Sequence, residues 1–265
     1  MRRRSAVITA VGLFTVIPTP PTEIDRDAGA RAMRVFPLVG LLLGAVGALI
    51  VAVLAWVSAP ALFTAVAVVA AWAALTGGLH LDGIADTADG LGSRKPPEQA
   101  LAIMRQSDIG PMGVIAVVFV LLAEVSVLVG PVTPVAWIVL VAPMVGRTCC
   151  VLACGRWRPG ARSGGFGALF VGSITRSVAI AWIVGCLALC SAAGLAVDLI
   201  AAIPGRATVS FLLAGALALL VSTAQSNRFV HRLGGLTGDT FGALIETGTL
   251  AFCVSVTLLL GLPIT

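Results

Sequence analysis

The stretch Phe36-Pro-Leu-Val-Gly-Leu-Leu-Leu-Gly-Ala-Val-Gly-Ala-Leu-Ile-Val-Ala-Val-Leu-Ala-Trp-Val57 decides the fold class, because it contains no charged side chain. About 20 predominantly apolar residues make a helix long enough to cross the hydrocarbon core of a bilayer. The whole chain agrees, since 58% of its residues are apolar and 11% charged, whereas soluble domains average roughly 45–50% and about 25%. The sequence therefore predicts an all-α integral membrane protein and excludes an ordinary soluble enzyme.

Further apolar runs of near-spanning length predict a polytopic bundle of about seven transmembrane helices. The predicted spans are Phe36–Val57, Ala61–Leu79, Met112–Gly130, Val135–Ala153, Val178–Val197, Ala207–Thr223 and Gly248–Leu262. An earlier apolar stretch, Ser5–Ile17, is too short to span. It predicts a short N-terminal helix that lies in the interface or re-enters the membrane. No long soluble segment separates the spans, so residues 1–265 are predicted to form a single membrane-embedded domain.

The distribution of basic residues predicts the orientation, because cytoplasmic loops are enriched in Lys and Arg. With the N-terminus inside and the C-terminus outside, 15 of the 17 basic residues fall on the cytoplasmic side. They are Arg2, Arg3, Arg4, Arg26, Arg31, Arg34, Arg94, Lys95, Arg105, Arg156, Arg158, Arg162, Arg176, Arg228 and Arg232. The polar loops 80–111, 155–177 and 224–247 then face the cytoplasm. The net charge of +5 follows from this bias, so no nucleic-acid partner is predicted.

An acidic cluster follows the second predicted span. Asp82, Asp86 and Asp89 are spaced i, i+4 and i+7, which on a helix places them on one narrow face. Like charges at this spacing repel, whereas Mg²⁺ binds one or two carboxylates and completes its shell with water and phosphate oxygens. The cluster therefore predicts a Mg²⁺ site. The alternative is a solvated helix start, where acidic side chains are also favourable.

Three neighbours of the acidic cluster carry weaker expectations. Gly83 and Gly90 flank the carboxylate face and are expected to leave room for a bulky ligand. His80 falls on the opposite side of the helix. We expect it to lie at the interface or to contact substrate rather than to bind the metal.

A second polar segment, Asn227–Glu246, follows the sixth predicted span. Its glycines would let backbone amides turn toward an anion at the start of the last helix. The alternative is a Gly-rich turn with Asp239 or Thr240 as the helix N-cap. Because the segment shares a membrane face with the acidic cluster, it is predicted to bind phosphate. The predicted site residues here are Gly235, Thr237, Asp239, Thr240 and Glu246.

Four further charged residues stand out by their positions in the sequence. Glu124 and Arg147 lie inside predicted spans, where ionised groups are costly and usually paired or functional. They could pair across consecutive antiparallel helices, although their depths differ, and Arg147 is favoured as a substrate contact. Arg94 and Arg105 flank the acidic cluster and are predicted to contact phosphate. Their alternative role is that of ordinary cytoplasmic loop residues.

The segment Thr76-Gly-Gly-Leu-His-Leu-Asp-Gly-Ile-Ala-Asp-Thr-Ala-Asp-Gly-Leu91 strongly resembles the cobalamin synthase family of adenosylcobinamide-GDP ribazoletransferases. Further blocks agree in the same order along the chain: Phe36–Gly40, Ile103–Arg105, Ile109–Gly110, Gly146–Arg147, Gly165–Gly167 and Leu233–Thr240. The chain departs from the family pattern at Phe14–Pro18, which lacks an arginine. It also carries Gln106 where many members have Asp, and Thr249 where many have Glu.

The resemblance implies an enzyme of the bacterial cytoplasmic membrane that completes the nucleotide loop of vitamin B12. A ribose hydroxyl of α-ribazole, or of its 5′-phosphate, attacks the phosphorus of adenosylcobinamide-GDP next to the aminopropanol, and GMP leaves. Such transfers depend mostly on positioning and charge neutralisation. The resemblance implies Mg²⁺ held by Asp82, Asp86 and Asp89. One of these carboxylates, or Asp239, would accept the hydroxyl proton, with the active site facing the cytoplasm.

Two other functions are alternatives for this sequence. A membrane permease using Asp82, Asp86 and Glu124 as an ion path should have acidic residues through the depth of the bilayer, but the main cluster lies at one surface. A CDP-alcohol-type phosphotransferase should carry the pattern D-x-x-D-G-x-x-A-R, which is absent. The predicted partners are the two substrates and the lipid bilayer. The sequence leaves the oligomeric state open, a homo-oligomer included.

Overall fold

The computed structural model describes residues 5–21, 24–203 and 205–261. Within these residues, all the regular secondary-structure elements are helices. The predicted Arg2, Arg3 and Arg4, and the end of the last predicted span at Leu262, lie outside the described residues. The α-helices are α1 Ala6–Phe14, α2 Arg26–Arg34, α3 Phe36–Trp56, α4 Ala61–Leu75, α5 Leu79–Gly92, α6 Pro97–Ile103, α7 Pro111–Leu128, α8 Val132–Ala153, α9 Arg176–Ala201, α10 Arg206–Leu233 and α11 Gly238–Gly261. A 3-10 turn, Phe166–Leu169, lies between α8 and α9. The predicted all-α membrane fold is confirmed.

Six of these helices, α3 and α7 to α11, are long and apolar enough to cross a membrane. The second predicted span, Ala61–Leu79, is instead the start of a bent pair, because α5 leaves α4 at an angle of 88°. Gly77 and Gly78 form the bend with φ angles of 60° and 72°, which glycine adopts without steric cost. If the bent pair is one span, the total is seven. Helix α5 itself is not one of the six spanning helices.

The short N-terminal helix is confirmed as α1, which has nine residues. The Phe14 ring contacts the Phe36 ring at the start of α3, with centroids 4.1 Å apart. Just beyond α1, the Val16 amide donates to the Leu75 carbonyl at the end of α4, at 2.8 Å. The start of α3 and the end of α4 therefore lie at the same end of the bundle. Because α4 returns the chain to this end, the acidic helix α5 begins there.

Helix α8 is the central helix of the bundle. Of its apolar window, 78% is buried inside the protein, compared with 17% for α7. Its backbone touches α3, since a Cβ atom at Gly40 would lie 2.5 Å from Met144 Cα and one at Gly44 would lie 1.9 Å from the Leu140 carbonyl oxygen. Small residues four apart allow this close approach of membrane helices. The pair α3 and α8 supports the helices that carry the polar residues.

The prediction of a loop over residues 224–247 is wrong. Helix α10 continues to Leu233 and α11 already begins at Gly238, so only a short turn separates them. Gly234, with a φ of 77°, ends α10 in the left-handed conformation typical of helix C-termini. Hydropathy detects the apolar run of a helix, whereas these two helices extend beyond it through polar residues. The predicted loop 80–111 likewise contains α5 and α6.

Candidate active site

The acidic residues lie on α5, whose predicted helical conformation is confirmed. Helix α5 crosses α11 at two glycines: a Cβ at Gly83 would lie 2.6 Å from the Asp239 carbonyl oxygen, and one at Gly242 would lie 3.0 Å from that of His80. This crossing places the acidic helix beside Asp239. On its Cβ side Gly83 leaves no room for a ligand, because α11 fills that space, although Gly83 does border the cavity described below. Gly90 is also filled, since its Cβ would lie 2.5 Å from Met104 Cγ.

Asp89 connects α5 to the start of α7. Its two carboxylate oxygens accept the backbone amides of Gly110 at 2.7 Å and Gly113 at 2.9 Å. A carboxylate is favourable at this position, because the first amides of a helix lack partners within it. No group of three or more His, Cys, Asp or Glu side chains among the described residues could hold a metal ion. The metal-binding role of Asp89 stays a prediction.

Asp86 lies on the half-buried side of α5. Burial, followed by the nearby carboxylates of Asp82, Asp239 and Asp89, raises the pKa of Asp86 to about 7, against a smaller opposing effect of Arg162. Carboxylates raise each other's pKa because ionising both brings like charges together. Negative charge is therefore concentrated where α5 meets α11, which favours a bound cation.

A cavity of about 380 Å³ opens beside this crossing, between α1, α5, the α8–α9 loop (residues 154–175) and the start of α11. Its polar lining comprises His80, Asp82, Arg162, Thr237 and Asp239. Its apolar lining includes Phe14, Phe36, Phe166, Phe170 and Phe241. The cavity thus combines carboxylates, one guanidinium group and an aromatic wall.

Arg162 is the cationic residue of this cavity. Its Nη1 atom lies 3.7 Å from Asp239 Oδ2, and its Nη2 atom donates to the Leu101 carbonyl at 2.7 Å. Burial lowers the pKa of Arg162, while the Asp239 carboxylate raises it. The guanidinium group is therefore fixed between α6 and α11, and it presents positive charge to any anion in the cavity.

Thr237 begins α11. Its hydroxyl accepts the Thr240 amide at 3.2 Å, and the Thr240 hydroxyl accepts the Thr237 amide at 2.8 Å. Thr237 is therefore the N-cap residue of α11. The alternative prediction, that Asp239 or Thr240 is the N-cap, is wrong. The Thr237 hydroxyl also donates to Asp239 Oδ2 at 3.2 Å, which orients that carboxylate.

Gly235 lies where the turn before α11 packs closely against the α8–α9 loop. A Cβ at Gly235 would lie 2.4 Å from the Ala161 amide nitrogen, and this amide donates to the Leu236 carbonyl at 3.0 Å. The structure thus gives Gly235 a packing role that places Arg162 in the cavity. Of the predicted phosphate contacts in this turn, Thr237 lines the cavity and Thr240 is buried in the cap.

A cluster of buried polar side chains lies behind the cavity. Arg147, which is 4% exposed, has its Nη2 atom 3.2 Å from His80 Nδ1, and Glu246 Oε1 lies 3.5 Å from the same nitrogen. Glu124 lines a small space with Arg147 and Glu246. Among the described residues no ion pair joins Glu124 to Arg147. Arg147 therefore contacts His80, which lines the cavity, and does not itself line it.

An open groove of about 630 Å³ lies on the other side of α1, along the bend between α4 and α5 and the start of α7. Its lining includes Gly77, Gly78, Ile109 and Val117. Four residues line both the groove and the cavity: Leu13, Phe14, Leu79 and Asp82. Asp82 is thus a carboxylate at the junction of two spaces.

Comparison with known proteins identifies the family. The family model described as cobalamin-5-phosphate synthase matches residues 6–257. The chain belongs to the cobalamin-5-phosphate synthase family. The matched residues include every element that lines the cavity, from α1 to α11. The cavity of this cobalamin synthase family member therefore lies within the matched region.

Curated relatives agree with this assignment. The chain is similar to the adenosylcobinamide-GDP ribazoletransferases of Frankia casuarinae (40% identity, covering 90% of this chain and 89% of the relative) and Citrobacter koseri (38%, covering 90% and 93%). It is also similar to that of Corynebacterium diphtheriae (32%, covering 94% and 89%). No solved structure matches the chain.

Within this family member, the other predicted phosphate contacts lie on the surface. Arg94 and Arg105 are exposed on the segment between α5 and α7 and do not line the cavity. Arg105 is near enough to Arg162 to lower the pKa of that side chain. Their phosphate-binding roles stay predictions.

Three residues that line the cavity carry no site prediction from the sequence. Arg162 was assigned only to topology, although it lies three residues before Gly165, where a block that resembles the family begins. Phe14 and Phe170 were not singled out, and their ring centroids are 5.4 Å apart. Phe14 is distant in sequence from Arg162 and Phe170, so only the family blocks Phe14–Pro18 and Gly165–Gly167 offered a signal near these residues.

Proposed function

We propose that this chain is an adenosylcobinamide-GDP ribazoletransferase. In this reaction a ribose hydroxyl of α-ribazole, or of its 5′-phosphate, attacks the phosphorus next to the cobinamide aminopropanol. A new phosphorus–oxygen bond forms, the bond to the diphosphate bridging oxygen breaks, and GMP leaves with the electron pair. The observation that carries the proposal is a cavity lined by Asp82, Asp239, Arg162 and phenylalanine rings, inside a chain that the family model matches over residues 6–257.

The two spaces that share Asp82 suit a reaction between two substrates. We assign α-ribazole to the smaller cavity, whose volume of about 380 Å³ is near the lower end of the roughly 300–1,000 Å³ typical of small-molecule pockets. Its benzimidazole base would pack against phenylalanine rings, such as the pair Phe166 and Phe170 with centroids 4.9 Å apart. The corrin ring of the donor is too large for that space, so we assign it to the open groove.

The carboxylates of α5 fit a Mg²⁺ ion as a partial ligand set. Mg²⁺ characteristically takes one or two protein carboxylates together with water and substrate phosphate oxygens. Asp82 is exposed at the junction of the two spaces, and crowding of carboxylates raises the pKa of Asp86 to about 7, a repulsion that a cation would relieve. We propose Asp82 and Asp86 as the ligands. Asp89, whose two carboxylate oxygens accept the Gly110 and Gly113 amides, stays a ligand predicted from the sequence only. The ion would supply charge neutralisation at the diphosphate.

Asp239 is proposed as the acceptor of the ribose hydroxyl proton. It lines the cavity, and the Thr237 hydroxyl and the Arg162 guanidinium hold its carboxylate in place. The proton would pass to Asp239 as the oxygen–phosphorus bond forms. Arg162 would stabilise the charge that develops on the phosphate oxygens, because a guanidinium group forms strong charge-assisted hydrogen bonds.

The proposed location is the bacterial cytoplasmic membrane, with the cavity facing the cytoplasm. Arg94, Arg105 and Arg158 lie at the end of the bundle that carries the cavity, whereas Arg206 begins α10 at the opposite end. Cytoplasmic segments of membrane proteins carry this excess of positive charge. This distribution supports access to soluble α-ribazole and release of GMP on the cytoplasmic side.

The test is product formation by the full chain in liposomes supplied with adenosylcobinamide-GDP and α-ribazole. We expect GMP and adenosylcobalamin in equal amounts, and neither when α-ribazole is omitted. GMP release without a corrinoid product would contradict the transfer. Corrinoid flux across the liposome membrane without GMP would favour the permease alternative.

A further inference from the structure

A second groove lies on a different face of α8 from the active-site cavity. It has a volume of about 430 Å³ and lies between α8, α9 and α10. The adjacent residues Cys149 and Cys150 mark the two faces, since Cys149 lines this groove and Cys150 lines the cavity. None of the residues proposed above to bind substrate or metal lines this groove.

One end of the groove is cationic and polar. Arg158 and Arg176 both line it, one from the α8–α9 loop and one from the start of α9. The Arg158 side chain donates to the Asn227 side chain, but its buried Nε atom has no hydrogen-bond partner among the described residues. Ser226 is 2% exposed and lines the same end, and its hydroxyl also has no partner there. Buried polar atoms usually have hydrogen-bond partners. Both of these groups can donate a hydrogen bond, so an anionic ligand would satisfy them.

The other end of the groove is apolar. Ile180 and Ile183 line it from α9, and Ile183 lies about 10 Å along the helix axis from Arg176 at ~1.5 Å per residue. Trp157 lies at the rim and is 42% exposed. Tryptophan is enriched at membrane–water interfaces. The groove thus runs from a charged end at the interface to an apolar end within the membrane.

We propose that this groove binds an anionic phospholipid, with the headgroup phosphate at Arg158 and Arg176 and an acyl chain along Ile180 and Ile183. Basic pockets between transmembrane helices bind anionic lipid headgroups in this way. The Ser226 hydroxyl supplies a hydrogen-bond donor for a phosphate oxygen. This site does not depend on the proposed reaction, because it shares no side chain with the active-site cavity.

A lipid bound in this groove would also affect the active site, through the α8–α9 loop. Arg158 and Arg162 belong to the same α8–α9 loop, which bonds to the turn before α11 through the Leu236 amide and the Pro159 carbonyl, at 3.0 Å. A lipid that holds Arg158 therefore steadies the loop that positions Arg162. We expect anionic lipid to order this loop in addition to filling the groove.

The test uses Trp157 as a probe in the full-length protein, reconstituted in phosphatidylcholine liposomes. A small, equal mole fraction of brominated phosphatidylglycerol or brominated phosphatidylcholine is added, and quenching of tryptophan fluorescence is measured. We expect greater quenching by the brominated anionic lipid. Trp157→Phe should abolish this excess, which assigns it to the groove. Equal quenching by both lipids in the wild-type protein would overturn the proposal without any variant.

Charge-matched variants separate the groove from general surface attraction. Arg158→Gln with Arg176→Gln should abolish the excess quenching. Arg228→Gln with Arg232→Gln removes the same charge from exposed positions near the end of α10, outside the groove, and should preserve it. Equal loss in both double variants would overturn a specific site. Displacement of the brominated lipid by adenosylcobinamide-GDP would instead identify the groove as a substrate site and also overturn the lipid assignment.

Discussion

At the scale of single residues, Arg162 connects three parts of the molecule. It binds the Leu101 carbonyl, lies 3.7 Å from the Asp239 carboxylate and lines the cavity. Apart from the nearby Gly165–Gly167 block, nothing in its local sequence distinguishes it from other loop arginines. Its position against Asp239 arises from packing between the α8–α9 loop and the turn before α11, which spacing along the chain does not reveal. By contrast, the i, i+4, i+7 pattern of the aspartates is local, so the sequence alone predicted it.

Substitution of Arg162 tests its proposed role in charge stabilisation. We expect Arg162→Gln to lower the rate of GMP release about 10²- to 10³-fold, the usual cost of removing one preorganised donor. Arg162→Lys should recover only part of the rate, because a lysine cannot bond Asp239 and the Leu101 carbonyl with one planar fork. Arg156→Gln, at an exposed position in the same loop, is the control and should leave the rate unchanged. A wild-type rate in Arg162→Gln would disprove the role.

The pKa of Asp86 predicts a pH-dependent affinity for Mg²⁺. Its pKa of about 7 means that the protonated form, which cannot bind metal, dominates below pH 7. Affinity for Mg²⁺ should therefore rise roughly tenfold between pH 6 and pH 8 if one carboxylate of pKa ~7 must deprotonate. The measurement is the Mg²⁺ concentration that gives half-maximal GMP release at each pH. The dependence should disappear in Asp86→Asn, and a flat profile in the wild-type protein would argue against Asp86 as a ligand.

The assignment of α-ribazole to the aromatic cavity predicts a selective change in KM. Phe166→Leu removes a ring that contacts those of Phe14 and Phe170. It should raise the KM for α-ribazole by about 2- to 12-fold, the equivalent of one aromatic pair at ~0.5–1.5 kcal/mol. The KM for adenosylcobinamide-GDP should stay unchanged. Phe119→Leu, at a residue exposed on α7, is the control. A larger rise for the donor would reverse the assignment of the two spaces.

At the scale of elements, the crossing of α5 and α11 assembles the site. The sequence predicted α5 and its acidic face correctly, because helical periodicity is a local property. It did not predict the 88° bend after α4 or the continuation of α10 to Leu233. The bend forms at Gly77 and Gly78, and α5 then packs against α11, where Gly83 and Gly242 let the two backbones touch. The end of α10 was missed because the helix continues through polar residues that hydropathy does not detect.

The crossing predicts that Gly83 does not tolerate a side chain. A Cβ at this position would lie 2.6 Å from the Asp239 carbonyl oxygen, so Gly83→Ala forces α5 away from α11. We expect a loss of about 1–3 kcal/mol in the free energy of unfolding, typical of overpacking, together with a loss of GMP release. Thermal unfolding in detergent measures the first effect.

The matched control is Gly185→Ala in the middle of α9, where an added Cβ would meet no atom within 4 Å. It should leave stability unchanged or raise it by up to ~1 kcal/mol, because alanine favours a helix over glycine. Equal stability of the Gly83→Ala and Gly185→Ala variants would show that the α5–α11 contact is not required.

At the scale of the whole molecule, polar chemistry collects at one end of an apolar bundle. The cavity, the open groove and the lipid groove all lie where α3 and α9 begin and α10 ends. Hydropathy and charge sorting predicted this asymmetry, since most basic residues fall on segments at that end. The division into two spaces that meet at Asp82 depends on where α1 packs, and no pattern along the chain indicates that position.

The most direct test of the central claim is Mg²⁺-dependent GMP release by the reconstituted protein, compared between the wild type and Asp82→Asn. Asp82 borders both proposed substrate spaces and is a proposed metal ligand. We predict that the wild type requires Mg²⁺ and that Asp82→Asn loses at least about 10²-fold in rate while keeping its thermal stability. Asp108→Asn, at an exposed carboxylate outside both spaces, should match the wild type. Retention of the wild-type rate and Mg²⁺ response by Asp82→Asn would contradict the account.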